Sequence, residues 1–128
     1  MAITAAALAG LCVSLCYAAP PPSGSEQEAI LSPYGGWVRK LVNPITKQGC
    51  CDLADCRAVP ARVRDGHFQA FISRETYGPG APDGWVDVPD DVVLHERSNP
   101  VGLAVACWRA SRQPLYNGFF CFQEGPET

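Results

Sequence analysis

Val59-Pro60-Ala61-Arg62-Val63-Arg64-Asp65-Gly66-His67-Phe68-Gln69-Ala70-Phe71-Ile72 is the stretch that decides the fold. An Asp-Gly pair between two alternating runs signals a two-residue hairpin turn, because both turn positions must accept positive φ. With Asp65-Gly66 at the tip, Arg64 faces His67 and the pairing runs outward to Val59 opposite Ile72. One face then carries Val59, Ala61 and Val63 against Ile72, Ala70 and Phe68. The other carries Pro60, Arg62 and Arg64 against Phe71, Gln69 and His67. A slip of one residue would exchange the faces, so this near-clean separation fixes the register. The apolar set, Val63 and Phe68 included, is expected in the core, and Arg62, Arg64 and His67 in solvent.

The rest of the chain reads as more short strands. Gly84 to Val88 is closed by Pro89, and Leu103 to Trp108 and Leu115 to Phe122 are joined by the polar Ala110 to Pro114. Glu75 to Asp83 is a loop by composition, Asp90-Asp91 opens a single capped turn, and Ser98-Asn99-Pro100 breaks the chain again. Gly36 to Val42 has helical spacing for two turns, stopped by Asn43-Pro44. Twelve prolines in 128 residues favour edges and loops over long helices. The expected fold is mainly β: a small five-stranded antiparallel barrel or bent sheet with a short N-terminal helix, stapled by disulfides. Trp85-Val86-Asp87-Val88-Pro89 resembles the strand that enters a short turn in SH3-like barrels, which makes that arrangement one form of the expectation.

Residues 1–18 carry no charge and hold an apolar run from Ile3 to Tyr17 that ends in small residues before Pro20-Pro21-Pro22. This reads as a signal peptide cleaved after Ala18, and the run falls just short of the roughly 20 residues a membrane span needs. No stable span is expected after its removal. Residues 19–33, rich in Pro, Ser, Gly and Glu, are expected to be a disordered tether. One disulfide-stapled β domain follows over 34–123, with a tail at 124–128. A periplasmic or secreted protein of a Gram-negative bacterium is the implied setting. The net charge of -3 lacks the basic excess of a nucleic-acid binder.

Downstream of the signal, the cysteines are Cys50, Cys51, Cys56, Cys107 and Cys121. In an oxidising compartment these predict two disulfides and one residue left over. At least one long link is expected from the Cys50 to Cys56 cluster to Cys107 or Cys121, with the pairing open. Cys50 or Cys51 is expected to be the leftover, because adjacent residues aiming at separate partners strain the peptide between them. If exposed, the leftover would link two chains into a homodimer; if buried, it would be a small apolar core residue. The competing reading is a thiol-dependent enzyme or a metal site built from Cys50, Cys51 and Cys56 with Asp52 and Asp55. Zinc sites show a second ligand pair at matching spacing, which this sequence lacks.

No phosphate-binding loop, dinucleotide fingerprint or nucleophile elbow is present. His95-Glu96-Arg97-Ser98-Asn99 starts like a zinc-protease helix but has Asn where the second His must stand. His67 and His95 are expected at the surface. No catalytic residue, metal ligand or cofactor is assigned. Trp108, Tyr116, Phe120 and Phe122 crowd the last two strands, and both parities there are apolar. They are core or, where exposed, a partner-binding surface.

Trp37, Cys50-Cys51-Asp52-Leu53-Ala54-Asp55-Cys56, Trp85-Val86-Asp87-Val88-Pro89, Cys107-Trp108 and Cys121-Phe122, in that order, resemble short exported proteins of rhizobia and other alphaproteobacteria. The likeness covers about residues 37–122, and its most specific part is the double Cys followed by Asp-Cys. It implies a bacterial, extracytoplasmic origin and transfers no chemistry. The sequence thus points to an exported, non-enzymatic binding or structural module of the cell envelope, whose partner is a protein or envelope component.

Overall fold

The computed structural model describes residues 19–95, 98–126 and 128. The signal peptide expected over 1–18 lies outside the described residues. Two three-stranded antiparallel sheets make up the domain, in the orders β1-β5-β6 and β2-β3-β4. Their strands are β1 (Asp55–Val59), β2 (Ala61–Arg64), β3 (His67–Ile72), β4 (Gly84–Asp87), β5 (Ala104–Trp108) and β6 (Phe119–Gln123). Short helices α1 (Glu26–Leu31), α2 (Gly35–Val38) and α3 (Cys50–Leu53) precede β1, and α4 (Arg74–Tyr77) joins β3 to β4.

The hairpin has the expected register, Arg64 opposite His67 through Ala61 opposite Ala70. Asp65 and Gly66 both take positive φ, at 52° and 80°. Its first arm is longer than the alternation showed. Pro60 interrupts a run from Asp55 to Arg64, so the segment pairs with β5 before the proline and with β3 after it. That single break divides the molecule into two sheets. Val63 corrects the core assignment: beside the hairpin turn, it is 54% exposed. Phe68, across from Val63, is half-buried with its ring 5.2 Å from that of Phe122.

Sheet β1-β5-β6 is covered on both faces, which explains the apolar runs of both parities. Val59, Ala104, Ala106, Trp108, Phe119 and Phe122 face a core shared with Ala70, Ile72 and Val88 of the other sheet region. Cys56, Ala58, Val105, Cys107 and Cys121 face a second core closed by Leu31, Val38 and Leu41. Trp108 and Phe122, expected as part of a partner surface, are 1% and 0% exposed. The Trp108 indole donates to the Asn117 carbonyl at 2.8 Å over Gly118, where a Cβ would stand 2.3 Å from the indole nitrogen.

Three further differences separate the reading from the structure. Leu115–Gly118 is a 3-10 turn with Tyr116 and Asn117 at positive φ, so the last strand starts at Phe119. The N-terminal helix expected from Gly36 stops at Val38, and Leu41 turns into the second core. Most consequential, the segment expected as a tether contains α1, capped by the Ser25 hydroxyl and anchored by buried Leu31. Gln27 on this helix acts as a one-residue strand: its side-chain amide donates to Ala58 O at 2.8 Å and accepts from Ala58 N at 2.9 Å. Such a contact between residues 31 apart leaves no trace in local composition.

Side chains close the far edge of the sheet as well. Buried Asn43 donates to Phe120 O at 2.5 Å, and its own Oδ1 accepts from Ile45 N and Thr46 N. Beside it, Leu94 N donates to Phe122 O at 2.7 Å.

Candidate functional site

Two places in this fold combine chemical functionality with access. The first is the sulfur cluster. Gly49 precedes α3, and a Cβ there would stand 2.6 Å from the Asp52 carboxylate, which would have to swing aside for any other residue. Cys50 bonds Cys121 across 71 residues and Cys56 bonds Cys107 across 51. Both links run from the Cys50 to Cys56 cluster to the last strands, where at least one was expected, and Cys51 is the leftover. The register places Cys56 opposite Cys107 and Cys107 opposite Cys121, so three cysteines form one row across β1, β5 and β6. Their placement in one row follows from the register of the three strands, a signal the isolated Cys positions did not carry.

Cys51 lies beside this row. Its Sγ is 3.2 Å from Cys56 Sγ and 3.7 Å from the Val38 carbonyl oxygen. A cavity of about 480 Å³ reaches it, lined by Pro20 and Pro21, Leu31, Arg39, Asp52, Cys56 and Arg57 among others. Arg57 is 5% exposed; it donates to Cys56 O at 3.0 Å and Ala19 O at 3.3 Å, while its Nε has no partner. Burial pushes the Cys51 thiol up to about 11, helped by Asp52 and Asp55 and opposed by Arg57 and Arg39. At neutral pH the group is therefore a thiol, not the thiolate that nucleophilic catalysis and metal binding require. Cys50 and Cys56, committed to disulfides, supply no thiolate either. Among the described residues no three His, Cys, Asp or Glu side chains are placed to hold a metal ion.

The second place is the outer face of β2-β3-β4. Arg62, Gln69 and Asp87 form a cross-strand ladder: Arg62 Nε donates to Gln69 Oε1 at 2.8 Å and Gln69 Nε2 to Asp87 Oδ1 at 2.7 Å. One register step along, Phe71 faces Trp85 with ring centroids 5.5 Å apart in an edge-on arrangement. The Arg62 guanidinium lies 4.0 Å over the Trp85 ring, which remains 39% exposed. Aromatic, cationic and amide groups are thus held in fixed positions on a solvent-facing sheet. The alternation of the hairpin put Arg62, Gln69 and Phe71 on this face; the contribution of Trp85 and Asp87 required knowing that β4 pairs with β3 at Phe71↔Trp85.

Of the residues singled out as a partner surface, Tyr116 and Phe120 are half-buried beneath the Arg112 guanidinium, which sits 5.3 Å and 3.6 Å from their rings. With Trp108 and Phe122 in the core, the four do not form one surface. His67 pairs with Asp90 at 3.7 Å in solvent. Comparison with known proteins adds no relative. No family model, curated protein or solved structure matches this chain.

Proposed function

We propose that the protein is a non-enzymatic binding module of the Gram-negative envelope, periplasmic or secreted, that holds an envelope glycan on the outer face of β2-β3-β4. The observation that carries this reading is the Trp85–Arg62–Gln69–Asp87 layer with Phe71 beside it. A sugar ring offers C–H groups to an aromatic ring and hydroxyls to planar polar side chains, and this face supplies both kinds of contact. Because the ladder bonds fix the side chains beforehand, little rotamer freedom is lost on binding. The two disulfides support an oxidising compartment. The high position of the Cys51 thiol supports a non-enzymatic role. We read the two sheets as halves of an SH3-like barrel joined by the strand bent at Pro60, a reading supported by the 3-10 turn Asp90–Val92 after β4. Cys51, turned toward Cys56, is read as an internal thiol and not as a link between chains.

Co-sedimentation of the mature protein with purified peptidoglycan sacculi and with isolated envelope polysaccharide tests the glycan reading. Binding to one of them, weakened at least about ten-fold in Trp85→Ala, is expected; ten-fold equals about 1.4 kcal/mol. Wild-type protein that stays in the supernatant with both, or a Trp85→Ala variant that binds as tightly, refutes it.

A further inference from the structure

We propose that Cys51 is an internal exchange thiol: it attacks the Cys56–Cys107 disulfide at Cys56, so that the protein interconverts between two disulfide isomers. The geometry is that of a thiol already in contact with the sulfur it would attack, 3.2 Å from Cys56 Sγ. Cys51 belongs to α3 and Cys56 to β1, only five residues apart, so the new bond needs no long-range movement of the chain. The cavity that reaches Cys51 is lined by Cys56 and Arg57 as well. Arg57, nine-tenths buried with an unpartnered Nε, and Arg39 favour the sulfur anion formed during exchange, against the opposing charges of Asp52 and Asp55.

The step balances without an outside reagent. Cys51 loses its proton, and a lone pair of its Sγ forms the bond to Cys56 Sγ. The bonding pair of Cys56–Cys107 leaves on Cys107 Sγ, which then takes up a proton. One disulfide is broken and one made, so nothing is oxidised or reduced overall. The product isomer keeps Cys50–Cys121 but loses the staple between β1 and β5, whose strands remain paired by their backbone ladder alone.

Peptide mapping reads the two isomers directly. Tryptic cleavage places Cys50, Cys51 and Cys56 together on peptide 48–57, Cys107 alone on peptide 98–109 and Cys121 on another. In the starting isomer, alkylation of the denatured, unreduced protein marks Cys51, and peptide 98–109 stays linked. After exchange, peptide 98–109 is released carrying an alkylated Cys107. Its rate of appearance should rise about 100-fold between about pH 7.5 and about pH 9.5, the factor by which a thiolate fraction grows over two pH units below its pKa. Cys51→Ser should abolish release. In Cys107→Ser, Cys51 should take the vacant place on Cys56, leaving no free thiol in the unreduced protein. Release that persists in Cys51→Ser, or a wild-type map that shows only alkylated Cys51 after prolonged incubation at the higher pH, overturns the proposal. Should Cys107→Ser fail to fold, the wild-type and Cys51→Ser maps decide alone.

Discussion

Val63 and Phe68 face each other across the hairpin and share one side of the sheet, yet their surroundings differ. Val63 is 54% exposed, whereas Phe68 packs its ring on Phe122. Val63→Asp should therefore shift stability by no more than about 0.5 kcal/mol, because its carboxylate stays hydrated. Phe68→Asp should cost about 3 kcal/mol or more, since it removes the ring contact and presses a charge against the core. Urea titration of the two variants, followed by tryptophan fluorescence, measures the difference. Equal losses would mean that the hairpin tip is covered. Alternation along the sequence identified the face of each residue but not how far the opposing layer extends. The ring that covers Phe68 belongs to Phe122 of β6, far downstream of the turn. At the sulfur site, arithmetic predicted one leftover cysteine and the strain argument limited it to two. Choosing Cys51 required the fold, since Cys50 is the one that faces Cys121.

Among the secondary-structure elements, the hairpin was legible because its turn, alternation and pairing lie within fourteen contiguous residues. Helix α1 was not. Its composition is that of a solvated segment, and it is ordered by tertiary contacts: Leu31 in the second core and Gln27 on the edge of β1. The outer face of β2-β3-β4 was half legible, for the same reason that the hairpin was. Gln27→Ala removes both bonds to Ala58 and leaves that backbone pair facing the gap, so a loss of about 1–2 kcal/mol is expected. Amide hydrogen exchange should show Ala58 N–H losing protection in this variant, ahead of the β1–β5 ladder. Unchanged protection at Ala58 would mean that water replaces the glutamine without loss. The Gln27 and Asn43 amides occupy opposite edges of one sheet, and each blocks a site where another chain could add a strand.

For the whole molecule, the two disulfides close loops across 71 and 51 residues and tie α3 to β6 and β1 to β5. Chain-entropy estimates give each about 4 kcal/mol, and the dependence on loop length is too weak to separate them. Together they approach the entire stability of a domain this small, roughly 5–15 kcal/mol. Reduction with excess dithiothreitol should therefore unfold the protein at ordinary temperature, with loss of near-ultraviolet circular dichroism and of hydrogen-exchange protection in β5. A reduced protein that keeps both would show that the two hydrophobic cores suffice.

The position of the sulfur links along the chain also sets a sequence of events. The partners of Cys50 and Cys56 lie 71 and 51 residues downstream, so neither bond can form until the chain has been made through β6 for one and β5 for the other. Until that moment the nascent chain is a pliable thread with neither sulfur link in place. Once both bonds close, it becomes a pinned object that cannot be drawn out into a fully extended thread. The bonds that hold the domain together thereby act as a ratchet on its folding, converting a passing arrangement into a permanent one.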